Sequence, residues 1–103
     1  MAVEKVISVF SGMPIRLTQE RWMHIVEEHP ELENSRAEVL LTIEKPHKIF
    51  EGRDGELLAV REIEPGKLLV VIYKETLPEG FIITAFFTRR LRSIERKKLI
   101  WKR

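Results

Sequence analysis

Cysteine is absent from the chain, which excludes both a disulfide framework and a zinc–thiolate centre. Amides and aspartate are almost absent too: Gln19 and Asn34 are the only amides, and Asp54 is the only aspartate. With glutamate, lysine and arginine plentiful, that balance resembles the composition of hyperthermophile proteins. No apolar run approaches the roughly 20 residues needed to span a bilayer, so a transmembrane helix is excluded. The first residues, Met1-Ala2-Val3-Glu4-Lys5-Val6, lack the uninterrupted apolar stretch of a secretory signal. A cytoplasmic protein without membrane partners is expected. Nucleophile-elbow, P-loop and dinucleotide-binding glycine patterns are also missing.

What is present fits one domain spanning residues 1–103, since a chain of this length supports a single core. Charge is unevenly placed. Residues 89–103 hold eight basic side chains against Glu95 alone, a net +7, whereas the first 88 residues carry ten basic and fifteen acidic ones, a net −5. A mildly acidic body with a basic tail points to a polyanion or to an acidic protein surface as partner; a solvated terminal helix is the plainer reading.

Local patterns predict an α+β chain. Val3 to Phe10 reads as a strand or extended arm closed by Ser11-Gly12, and Ile15-Arg16-Leu17 as a second extended piece. Thr18 is placed to cap a helix that runs to His29 and stops at Pro30. Ser35-Arg36-Ala37-Glu38 has the form of a capping box opening a second helix, which Lys45-Pro46 ends. Strands over 48–51, 57–63, 68–74 and 81–87 are separated by Asp54-Gly55, Pro65-Gly66 and Pro78-Glu79-Gly80, and such short connections force antiparallel neighbours. Residues 90–101 are expected to form a last helix, with Leu91, Ile94 and Trp101 on one side. The expected architecture is N-terminal helices packed on a four-stranded antiparallel sheet, with a basic C-terminal tail.

Chemistry has few places to reside. His24 and His29 share a helix but lie five residues apart, about 140° around it, so they diverge and do not form a zinc pair. No metal and no cofactor is expected. His29 falls on the Trp22-Ile25-Val26 stripe, where a hydrogen-bonded core histidine is the bland reading and a proton carrier the functional one. His24 falls on the polar side. Arg61 interrupts an apolar strand on the face of Leu57, Ala59 and Ile63. Lys74 ends another apolar strand, and Thr84 alternates onto one face with Ile82, Phe86 and Thr88. Each has a dull explanation, but a histidine opposite cations on a sheet suits RNA cleavage without a metal. There the 2′-hydroxyl attacks, histidine moves protons and Arg or Lys holds the phosphorane.

Several motifs also resemble a known family. Leu17-Thr18-Gln19-Glu20-Arg21-Trp22-Met23-His24-Ile25-Val26-Glu27-Glu28-His29-Pro30-Glu31-Leu32 is similar to the opening of phage-associated nuclease-fold domains of the barnase–EndoU–colicin–RelE superfamily. Glu44-Lys45-Pro46-His47-Lys48-Ile49 and Ile82-Ile83-Thr84-Ala85-Phe86-Phe87-Thr88 resemble two later motifs of that family, and together they cover about residues 15–90. His47 stands where the family has an acidic residue. The resemblance implies a RelE/barnase-like fold with an RNA-cleaving site on the open sheet face, and a toxin-like or phage-derived role. It carries over His24, His29, Thr84 and Thr88, and places Arg61 and Lys74 on the strands that bear the site. The expectation is a metal-independent endoribonuclease using His24 or His29, Arg61, Lys74 and Thr84. Thr88, Arg89, Arg90, Arg92, Arg96, Lys97 and Lys98 are expected to grip RNA. The alternative is a non-catalytic module on the same fold that binds RNA or an acidic antitoxin-like protein.

Overall fold

A computed structural model describes residues 3–103. The elements follow in the order β1 (Val3–Ile7), β2 (Pro14–Thr18), α1 (Gln19–Glu28), α2 (Arg36–Glu44), β3 (Lys48–Glu51), β4 (Leu57–Glu64), β5 (Lys67–Lys74), β6 (Gly80–Thr88), α3 (Leu91–Glu95) and β7 (Lys98–Lys102). A single 3-10 turn, Pro30–Leu32, joins α1 to α2. The strands form one seven-stranded sheet in the order β1-β2-β6-β5-β4-β3-β7. Every neighbouring pair is antiparallel except β2 and β6, which run parallel. Among the described residues no helix is long and apolar enough to cross a membrane.

The chain is α+β, but helices packed on a four-stranded antiparallel sheet is not its architecture: the sheet has seven strands and is mixed. Two segments account for the difference. The extended pieces at the start pair with each other as a hairpin, and β2 then lies beside β6 through Ile15↔Gly80 and Arg16↔Phe81. Both helices and three strands intervene between β2 and β6, so the connection is long enough for parallel pairing. At the other end, the helix expected over 90–101 shrinks to the five residues of α3. Residues 98–102 become β7, which pairs with β3. The free edge of β3 offers unpaired N–H and C=O groups, and satisfying them outweighs helical spacing in a Leu99-Ile100-Trp101 stretch suited to a strand.

Local chemistry explains most of the other boundaries. The Thr18 hydroxyl accepts from the Arg21 amide at 3.0 Å and starts α1. Ser35 makes no such side-chain bond, and its capping-box partner Glu38 turns instead to Arg61. Gly80 sits where β2 meets β6: a Cβ there would lie 2.3 Å from the Lys74 carbonyl oxygen and 2.6 Å from Ile15 Cδ1, so only glycine admits the approach.

Both sheet faces are covered, to different extents. On the helix face, α1 and α2 bury Trp22, Ile25, Val39 and Ile43 against Leu57, Ala59, Leu69, Val71 and Tyr73. On the opposite face a smaller cluster of Phe50, Leu58, Val60 and Val70 is capped by Ile94 of α3. Strand β4 lies between the two, which is why Leu57-Leu58-Ala59-Val60 is buried without interruption. A strand covered on both sides reads as an apolar run, not an alternation. Helix α3 reaches only part of the opposite face: the cluster that Ile94 caps extends to Val70 and Ile72 of β5 and Phe86 of β6 but takes in no residue of β1 or β2.

Candidate nucleic-acid interface

Strand register decides which of the expected residues meet. Arg61 pairs with Leu69 and therefore points to the helix face. There its guanidinium bonds Glu38 of α2, and its Nε donates to the Thr42 hydroxyl at 3.4 Å. Thr42 is fully buried and donates to the Glu38 carbonyl at 2.8 Å, so Arg61 fastens α2 to β4. Lys74 lies two residues beyond Ile72 and shares its face, the opposite one. Arg61 and Lys74 thus lie on different sides of the sheet, and the expected four-residue constellation does not assemble.

The phase of β6 also differs from simple alternation. Ile72 pairs with Thr84 while Tyr73 pairs with Ile82, leaving Ile83 as an extra residue. A bulge shifts the strand by one residue and so reverses the faces beyond it. Ile82 joins Tyr73 in the core of the helix face, whereas Thr84, Phe86 and Thr88 lie opposite Ile72, Val70 and Leu68 on the other face. Thr84 is therefore separated from Ile82 and brought into the row that holds Ile72 and Lys74. Its hydroxyl oxygen is buried and has no hydrogen-bond partner, although the residue as a whole is half-buried.

The histidines separate as their spacing requires. His24 is exposed on α1, 3.8 Å from Glu28 across one turn. His29 caps the end of α1, is half-buried, and faces Glu31 at 3.7 Å. Its ring is 6.1 Å from that of Phe86, tilted by 35°. This is possible because β2 pairs with only the first two residues of β6. Alongside the unpaired remainder runs α1, anchored by an Arg21 donation to the Ile83 carbonyl at 3.4 Å. His29 thereby reaches the margin of the opposite face beside Phe86. His47, at the start of β3, accepts the Glu62 amide on Nδ1 at 2.9 Å and lines a cavity of about 190 Å³ beneath α3.

The basic tail is not a free tail. Arg89 is paired with Glu64 at 3.1 Å, and the Thr88 hydroxyl accepts the Arg90 amide at 3.0 Å. Arg92 lies on α3 and Arg96 closes it, while Lys98 opens β7 opposite Glu51. Lys97 and Arg53 line a depression of about 320 Å³ whose walls include Leu58, Ile72 and Phe86. The positive charge is thus arrayed along the α3 side and one edge of the sheet.

Residues that sequence reasoning passed over extend the candidate interface. Register places Lys5 beside Arg16, and Arg16 beside Phe81, with Phe81 opposite Lys74. All four lie on the face of Ile72 and Thr84. Arg16 stands over the Phe81 ring, 5.6 Å from its centroid. Their only signal in sequence was a polar residue inside Ile15-Arg16-Leu17, which is uninformative until the parallel partner strand is known. Among the described residues no three His, Asp or Glu side chains converge as a metal site. No family model, curated protein or solved structure matches the chain.

Proposed function

We propose that this protein acts on RNA, gripping it on the cationic and aromatic part of the opposite face and cleaving it without a metal by attack of the 2′-hydroxyl. The carrying observation is the placement of His29 at the margin of the face that bears Lys74, Thr84 and Phe86, its ring 6.1 Å from that of Phe86. In this reading Lys74 neutralises a phosphate and His29 moves the proton, while Thr84, whose hydroxyl oxygen is buried, forms part of the floor beneath the RNA. The motifs resembling the phage-associated nuclease-fold domains support the same reading, since His29 and Thr84 both belong to them. Arg61 is dropped from the catalytic set because it is engaged with Glu38.

A second reading, RNA binding without cleavage, is favoured by the placement of a single histidine at this face. Incubation of structured RNA with the protein in EDTA separates the two. Products ending in 2′,3′-cyclic phosphate, lost in His29→Ala, support the nuclease. Tight binding with intact RNA supports the second reading, and cleavage of DNA or a requirement for Mg²⁺ contradicts the proposed mechanism.

A further inference from the structure

We propose that Lys5, Arg16 and Phe81 form a nucleotide subsite for unpaired RNA, in which the Glu79 carboxylate holds the place of a phosphate until RNA displaces it. The inference rests on the RNA-binding reading above and extends it to residues outside the nuclease motifs.

The three side chains stand in a row across β1, β2 and β6, on strands spaced about 4.8 Å apart. Between the two cations lies Glu79, from the loop joining β5 to β6. One carboxylate oxygen is 2.9 Å from Lys5 Nζ, and the other is 3.4 Å from Arg16 Nη1. Two oxygens held by two cations is the arrangement a phosphodiester presents through its non-bridging oxygens. The adjacent Lys5 ammonium, helped by the Arg16 guanidinium, keeps the Glu79 carboxyl below its ordinary range, so the placeholder stays charged. Glu79 lies in the connection before β6, not in a strand, and its half-buried side chain is 24% exposed, so it can rotate away from the two cations without breaking a strand pairing.

The aromatic component points to single strands. Phe81 is half-buried beneath the Arg16 guanidinium, so ring and guanidinium together offer a stacking surface beside the phosphate position. Bases in a duplex have both faces occupied, whereas an unpaired base can stack on an aromatic ring or an arginine plane. Lys74, opposite Phe81 in register, continues the positive path towards Thr84.

The test uses the full chain and a 12-nucleotide uridine RNA with 2′-O-methyl riboses, which binds but cannot be cut. Fluorescence anisotropy in EDTA gives the affinity. Arg16→Ala and Phe81→Ala are expected to weaken binding at least about fivefold, the lower end of what one stacked base contributes. Glu79→Gln is expected to tighten binding about two- to tenfold and to steepen its salt dependence, because two cations become free for phosphates. A gain in affinity cannot arise from misfolding. Unchanged affinity in all three variants, weaker binding by Glu79→Gln, or equal competition by duplex RNA or polyglutamate would overturn the subsite. Cleavage of unmodified RNA is scored separately. Cutting that depends on His29 while these variants bind like the parent leaves the nuclease reading standing and removes only this one.

Discussion

Replacing Arg61 distinguishes a structural arginine from a catalytic one. Its side chain is 18% exposed, while that of its partner Glu38 is 51% exposed. An ion pair with one solvated member contributes only about 0.2–1 kcal/mol. The aliphatic stem contributes more, because the two methylenes beyond Cβ, which alanine lacks, lie against the helix face and each buried methylene is worth about 0.8 kcal/mol. Arg61→Ala should therefore cost about 2 kcal/mol and lower Tm by roughly 8–16 °C for a domain of this size. Arg61→Met, which keeps the stem, should cost less than about 1 kcal/mol. RNA affinity and cleavage should stay within about twofold of the parent in the folded variants, since Arg61 points away from the proposed site. Urea denaturation gives the stability and an anisotropy titration the binding. An Arg61→Met protein of normal stability that loses tenfold or more in RNA cleavage would refute the assignment of faces.

Three further outcomes can be checked. Burial pushes the phenol of Tyr73 well above its ordinary range; the Glu75 carboxylate adds to the shift and the nearby Ser8 hydroxyl partly offsets it. The unfolded chain loses that proton near pH 10 while the folded one retains it, so stability should fall by about 1.4 kcal/mol per pH unit above pH 10. Tyr73→Phe should remove its part of this fall and cost little at pH 7, because the hydroxyl has no hydrogen-bond partner of good geometry. Gly80→Ala should destabilise by roughly 1–3 kcal/mol through the clash with the Lys74 carbonyl, measurable as a lower urea midpoint. His29→Ala should reduce RNA cleavage by roughly 10²–10⁴-fold, while His24→Ala, exposed on α1, should leave it within about twofold. Equal loss in both variants would reject His29 as the specific proton carrier.

The sequence was most legible where the physics is local. Thr18, Pro30 and Pro46 punctuate the helices, and Asp54-Gly55 and Pro65-Gly66 mark turns whose glycines adopt positive φ. Contacts between segments distant in the chain were less legible. Nothing in Ile15-Arg16-Leu17 names β6 as its neighbour, and nothing in Lys98 to Lys102 announces that β3 has an open edge. The site suffered from the same limit. Periodicity within single strands does not reveal the register that sets Arg61 and Lys74 on opposite faces. Alternation groups Thr84 with Ile82, because a bulge at Ile83 cannot be counted in advance.

The parallel junction also orders events in time. Strands β3 to β6 follow one another through short turns, so their pairings close small loops and form early. The β1–β2 hairpin must find β6 across about 65 residues, as Ile15↔Gly80 shows, and β7 must return to β3 across about 50. Loop-closure entropy makes these late steps. Val71→Ala in β5 should therefore slow refolding, whereas Ile15→Ala in β2 should chiefly speed unfolding, a contrast that a chevron plot resolves. The subsite residues Lys5 and Arg16 are then delivered by the last hairpin to dock, so RNA binding should trail the recovery of secondary structure during refolding.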